Sequence, residues 1–216
     1  FDVVAPGIAK HEEEIVLAPG ADPKSDPCLA LRAAVAAAEF GLPIAPGTLQ
    51  NLKSCPIDDR TWNDESRSLF LRLLASGPAL LQVWEEIDFV DIPGRLIPEW
   101  LAIRNRPSAS AAHRYTIDRH SVEVVTRLGR ETPRGNRYDD RHYQALLLAG
   151  ILHDVGKRPG VADHAAEGAR HASMVLKRMG FDRDIIWWVT LLVREHLTLS
   201  EFATGQNPVS YTHLTL

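Results

Sequence analysis

The sequence predicts an all-α fold, a helical bundle preceded by a helical connector, and three observations carry that reading. Apolar residues recur at helical spacing through four long stretches of the C-terminal half. Helix starters and breakers bracket most of the segments before them. No stretch of useful length alternates apolar and polar residues with period two, and no internal repeat appears.

Taken in order, residues 1 to about 27 are rich in Pro, Gly, Asp and Glu. They read as loop or linker with one short strand-like run, Ile15 to Ala18. Asp26-Pro27 then opens an alanine-rich helix through Phe40, and Gly41 and Pro43 end it. Pro46 to about Leu52 adds a short helix, and Cys55 to Thr61 is connector. Asn63-Asp64 starts a helix through Ala75, broken by Gly77-Pro78. Two further helices are expected over Ala79 to Asp88 and Ile92 to Arg104, with Trp84 and Trp100 as large core anchors. Arg106 to Ser110 reads as the linker to the next part. The four strongly periodic helices then cover about Thr116 to Leu128, Tyr138 to Leu152, His164 to Met179 and Arg183 to Leu197.

With 216 residues, 45% of them hydrophobic and 24% charged, the chain suits one or two globular domains. A net charge of -4 argues against a nucleic-acid-binding surface. The longest apolar run, Ala145 to Leu152, is far too short to span a bilayer, so no membrane role is expected. No basic segment followed by an apolar one opens the chain, and Cys28 and Cys55 lack CxxC spacing. Both points fit a cytoplasmic protein with reduced thiols. A first residue of Phe1 suggests a piece of something longer.

Each of the four periodic helices places a histidine on its apolar stripe. The stripes are Ile117, His120, Val124 and Leu128; Leu146, Ala149 and His153, with Asp154 next; His164, Gly168, Val175 and Met179; and Ile185, Val189, Leu192 and His196. Gly168 would admit a close neighbour, either backbone or ligand. A single inward histidine is usually a hydrogen-bonded core residue. Four of them with the His153-Asp154 pair, which caps the apolar run Ala145 to Leu152, cannot all be left unpaired in a low-dielectric interior. Imidazole and carboxylate together suit Zn, Fe, Mn or a similar ion, and helix bundles build such sites from facing helices. No HExxH, zinc-ribbon cysteines, P-loop or GxSxG elbow competes with this reading.

His120 followed by His153-Asp154-Val155-Gly156-Lys157 resembles the HD superfamily of metal-dependent phosphohydrolases. Three further motifs narrow the likeness. His113-Arg-Tyr-Thr-Ile-Asp-Arg-His120, the Asp163-His164 pair with Gly168, and Val193-Arg-Glu-His-Leu-Thr-Leu-Ser200 are similar to the HD domain of the bifunctional uridylyltransferase/uridylyl-removing enzymes. Those enzymes modify and demodify the nitrogen-regulatory PII protein. Ile97-Pro-Glu-Trp-Leu-Ala-Ile-Arg104 resembles the segment just before that domain, and Asp22 to Leu49 the connector nearer the transferase. The likeness covers about residues 10 to 205.

The resemblance implies a linker and connector over 1–61, a helical connector over 62–105 and an HD domain over 106–205. It implies metal ligation by His120, His153 and Asp154, with His164 and His196 as the added histidines of dinuclear members. Asp154 would also orient the attacking water. Lys157 would face a substrate phosphate, its bland alternative being a solvated helix-end lysine. His113, Arg114 and Tyr115 either tie the linker to the bundle or steer substrate, and Arg114 is assigned to substrate. His142 and His171 match no ligand position and read as structural, and His11 and His213 lie outside the domain. The cofactor would be a divalent metal (Mg, Mn, Fe or Zn) and the partner nucleotidylated PII, from which UMP or AMP is removed.

Two departures set further expectations. The family's last aspartate, on a helix after the one bearing His196, has no counterpart here, so the domain reads as C-terminally truncated and this chain alone should hydrolyse little. Residues 206–216 follow no family pattern and read as translated adapter sequence or a divergent tail. A stand-alone HD hydrolase of free nucleotides and a non-catalytic helical interaction module remain the rival readings.

Overall fold

The computed structural model describes residues 1–58, 61–107, 115–131 and 140–198. The chain is helical, as expected, apart from a small sheet at its start. Strands β1 (Asp2–Ala5), β2 (Ile8–His11) and β3 (Glu14–Leu17) form an antiparallel meander in that order. β3 meets the strand-like run expected over Ile15 to Ala18, and the loop expected before it is corrected to β1 and β2. Four-residue strands joined by turns at Gly7 and Glu12, both with positive φ, are too short to show an alternation. Only Ile8, Ala9 and Ile15 are fully buried. Gly7 is required by position: a Cβ there would meet Leu29 Cδ1 at 2.6 Å, so the turn lies directly on the next helix.

That helix, α1 (Leu29–Phe40), is buried along nearly its whole length. Its alanines let the sheet and the helices α3 and α4 approach closely. Gly41, at φ 64°, ends it in the left-handed conformation. After α2 (Pro46–Leu52) comes α3 (Asp64–Leu74), opened by a reciprocal cap. Ser66 N–H donates to Asn63 Oδ1 at 2.9 Å, and Asn63 N–H donates to Ser66 Oγ at 2.8 Å. Helix α4 (Ala79–Phe89) follows the Gly77-Pro78 break. The single helix expected over Ile92 to Arg104 is corrected to two pieces, α5 (Ile92–Leu96) and a 3-10 turn, Pro98–Ala102. Pro98 drives Ile97 out of the helical region, to φ -132° and ψ 85°. The break turns Trp100 inward, where its ring meets Trp84 edge-on at 5.3 Å, and both anchors are buried as the sequence suggested.

The bundle consists of α6 (Ile117–Glu131), α7 (Arg141–Leu152), α8 (His164–Arg178) and α9 (Arg183–Glu195). Aspartates at positions 140, 163 and 182 cap the last three through their side chains. The segment read as a linker starts out pinned. Arg106 O accepts Ile117 N–H at 2.9 Å, and Asn105 N–H donates to Asp118 Oδ2 at 2.8 Å. One continuous buried cluster runs from Ile8 to Val193. Arg178 clasps Glu99 through two bonds of 3.0 and 2.6 Å, joining the 3-10 turn to α8. Among the described residues no helix is long and apolar enough to cross a membrane.

Candidate metal centre

Three helix ends and one helix flank meet around Asp154. Helix α7 stops at Leu152, with His153 as its cap residue, and the chain turns tightly through Asp154 to Lys157. The turn lies against the start of α8. A Cβ on Gly156 would sit 2.2 Å from His164 O and 2.3 Å from Gly168 N. Both glycines therefore serve a backbone-to-backbone approach, which carries His164, the first residue of α8, up to the turn. His196 caps α9 from another side, and His120 reaches in from the first turns of α6.

The side chains converge. Ring centroids lie 5.3 Å apart for His120 and His153, 5.2 Å for His153 and His196, and 5.8 Å for His164 and His196. Asp154 is 1% exposed. Its Oδ2 accepts from Lys157 Nζ at 2.8 Å and lies 3.3 Å from His153 Nε2, and its Oδ1 lies 3.5 Å from His196 Nε2. Two sets, His120 with His153 and Asp154, and Asp154 with His164 and His196, each bring their donor atoms within 4.8 Å of one another. Either set could hold one ion, with Asp154 common to both.

The hydrogen bonds decide which ring atoms are on offer. His153 Nδ1 donates to Gly150 O at 2.8 Å and His196 Nδ1 to Val193 O at 2.6 Å. A carbonyl only accepts, so in both rings Nε2 is the atom turned to Asp154, the tautomer that metal-bound imidazoles adopt. Asp154 Oδ1, His164 Nε2 and His196 Nε2 are all buried without a hydrogen bond. Imidazole nitrogens and a carboxylate left in this state are the donor set of a borderline divalent cation. The residues fit a metal.

The electrostatics agree. Burial by itself would push the Asp154 carboxyl up. The His153 and His196 imidazoles beside it, and the hydrogen-bonded ammonium of Lys157, instead hold it well below the usual carboxylate range. Burial, with Lys157 nearby, lowers His164, so its ring is neutral and able to ligate at neutral pH. Burial also works to lower His196, but the Asp154 carboxylate and the Val193 carbonyl outweigh it and raise this imidazole.

Beside the cluster opens a cavity of about 420 Å³, lined by His120, His153, Asp154, Lys157 and His196 and by the apolar Val124, Leu128, Leu146 and Leu192. This corrects part of the stripe reading. Leu146 and Leu192, expected in the core, are 39% and 40% exposed, because at this level the stripes of α7 and α9 face the cavity. His142 is exposed and rests on Trp188, and the buried His171 bonds Glu167 at 2.9 Å. His11 stacks on Phe1, away from the cluster. Arg114, His113 and His213, together with the tail 206–216, lie outside the described residues. Sequence reasoning missed the partner carbonyls of Gly150 and Val193 and the packing role of Gly156. The only available signal for the last was its place one residue before Lys157 in a tight turn.

Comparison with known proteins gives a consistent pattern. Residues 117–209 match the HD domain family. The chain is 40% identical over 206 residues to the bifunctional uridylyltransferase/uridylyl-removing enzyme of Streptomyces coelicolor, a stretch covering 94% of this chain and 24% of that relative. The enzyme of the same name from Mycobacterium tuberculosis is 38% identical over 202 residues, covering 93% of this chain and 24% of its own length. That from Corynebacterium glutamicum is 33% identical over 189 residues, or 86% of this chain and 26% of the relative. The chain thus spans about a quarter of the length of these relatives.

Proposed function

Since the chain belongs to the HD domain family through residues 117–209, we propose that it is the metal-dependent phosphodiesterase part of a uridylyltransferase/uridylyl-removing enzyme, releasing UMP or AMP from a tyrosine of nucleotidylated PII. The observation that carries the reading is the set of buried, unbonded donor atoms of Asp154, His164 and His196, with His120 and His153 alongside. A divalent ion held by these residues would supply Lewis-acid chemistry, activating a water and polarising phosphoryl oxygens.

The chain's own groups account for the rest. Asp154, locked as a carboxylate, orients a water at Oδ1. Lys157, half-buried and 2.8 Å from Asp154, sets a fixed positive charge beside the cluster, where phosphoryl charge grows as the ester bond breaks. The apolar lining of Val124, Leu128, Leu146 and Leu192 accepts an aromatic ring, whether the departing phenol or the base. Arg114 remains a candidate for substrate contact. The parent protein would act in the cytoplasm, in the regulation of nitrogen metabolism.

The test is elemental analysis of the purified chain, followed by incubation of this chain and of the full-length gene product with uridylylated PII. Bound metal at one or two ions per chain, with UMP released by the full-length protein, is the expected result. A metal-free chain whose full-length parent also releases nothing would favour the interaction-module reading. Preference for free nucleotides over modified PII would favour the stand-alone hydrolase.

A further inference from the structure

Helix α9 leaves one face uncovered. Asp184, Trp187, Leu191 and Arg194 follow one another at steps of three, four and three residues, so they share a side of the helix away from the buried Ile185, Val189 and Val193. Trp187 and Leu191 are 61% and 44% exposed. The Asp184 and Arg194 side chains that bracket them are 74% and 67% exposed, and Arg183 and Glu195 stand exposed beside those. Leu192, also exposed, lines the metal-centre cavity and belongs to that site. The charges at the two ends have weak local partners. Asp184 lies 3.5 Å from an Arg141 guanidinium that sits closer to Asp182, at 2.5 Å. Arg194 lies 3.9 Å from Glu195, whose Oε2 takes the Thr198 hydroxyl at 2.7 Å.

The order of these residues is complementary to its own reverse. Counted about Val189, Arg183 falls opposite Glu195, Asp184 opposite Arg194, and Trp187 opposite Leu191. An antiparallel second α9 therefore meets every end charge with its opposite and each indole with a leucine, and a two-fold axis across the helix makes each contact twice. A parallel mate would instead set Arg on Arg and Asp on Asp. The self-complementary pattern singles out one partner, a copy of the same chain. We propose that this face pairs two copies of the protein through antiparallel α9 helices, with Trp187 and Leu191 at its centre and the four charged residues at its rim. Exposed ion pairs add little affinity and mainly fix orientation, so the covered indole carries most of the binding. The contact is one helix of 13 residues, about 20 Å long, which makes a small interface and a reversible, concentration-dependent dimer. Arg194 and Glu195 directly precede His196, so pairing also steadies the end of α9 that enters the metal centre.

The experiment is sedimentation equilibrium of this chain and of the full-length gene product from micromolar to near-millimolar concentration. Both are expected to pass from monomer to dimer. Trp187→Ala should raise the dimer dissociation constant at least about tenfold, the scale of a central tryptophan in an interface. Arg194→Asp sets an aspartate against Asp184 of the partner subunit and should also weaken the dimer. Adding Asp184→Arg to that variant reverses both ends of the pairs and should restore it. All three positions are exposed, so the variants keep their core, and unchanged far-UV circular dichroism verifies this. The proposal is overturned by a chain that stays monomeric throughout, by a dimer that neither Trp187→Ala nor Arg194→Asp weakens, or by failure of the double exchange to restore pairing. A dimer formed by this chain and not by the full-length product overturns it too, since the face would then be an internal contact with another part of the protein.

Discussion

From β1 through the Pro98–Ala102 turn, most buried polar side chains come with partners. Thr61 Oγ1 accepts Asp58 N–H at 2.8 Å and donates to Pro56 O at 3.1 Å, Ser66 closes the α3 cap, and Thr48 takes Leu17 N–H at 3.3 Å. From α6 to α9, by contrast, Asp154, His164 and His196 are buried with donor atoms unbonded. Among the described residues the N-terminal region leaves side-chain atoms in that state only at Trp84, Asp88 and Trp100, which line a cavity against α6. Both regions share one apolar core, so the difference is not in how they are held together. Away from that cavity the first region satisfies its polar groups internally, and the other gathers unbonded donor atoms at one point.

Substitutions that separate holding from binding can break that contrast. The largest expected effect is that of Asp154→Ala, which should abolish metal binding and hydrolysis in the full-length protein while far-UV circular dichroism remains unchanged. Full metal occupancy in this variant would mean that the wrong carboxylate has been identified. Trp100→Ala should act the opposite way, costing about 3 kcal/mol in chemical denaturation with metal stoichiometry intact in the folded fraction. Gly156→Ala lies between the two. Its Cβ must displace the backbone of His164 and Gly168, so it should cost about 1–3 kcal/mol and loosen metal affinity together. Lost stability with unaltered affinity would show that the close approach is not what positions His164.

The smallest effect concerns the clasp between the regions. Burial tends to raise Glu99, but Arg178 outweighs it and holds the carboxyl below its ordinary value of 4.5. A depressed carboxyl contributes stability that is present above its unfolded pKa and fades as pH falls through the folded one. Wild-type protein should therefore lose this contribution as pH falls below about 4.5, and Glu99→Gln should lack that part of the acid dependence. Identical acid titrations of the two proteins would remove the clasp from the account.

The two regions were also unequally legible in the sequence. Helices announced by caps and breakers, such as Asn63 before α3 and Gly41 after α1, were readable because the signal is local. The histidine set was readable because helical spacing put His120, His153 and His196 on apolar stripes. Of the sheet only β3 was, as the strand-like run Ile15 to Ala18; β1 and β2 are four residues long and show no alternation. The break at Ile97 was missed although Pro98 announces it, because the apolar pattern on both sides suggested continuity. The cavity between α4 and α6 was out of reach. Nothing local joins Trp84 to Asp118, and the connection is made only when α4 packs on α6.

One feature of the metal centre bears on its charge before any side chain is counted. His153 and His196 each follow the last residue of a helix and bond a carbonyl three residues back, so α7 and α9 both end at the cluster. The C-terminal end of a helix carries roughly half a unit of negative charge from its aligned peptide dipoles, and α8 presents its positive end at His164. Two negative poles and one positive pole thus converge on a space a few ångströms across. The backbone alone gives the centre a direction, with a cation favoured between the ends of α7 and α9 and an anionic group favoured toward α8. An Asp154→Asn protein should accordingly retain a weak, oriented preference for cations that scrambling the histidines alone would not erase.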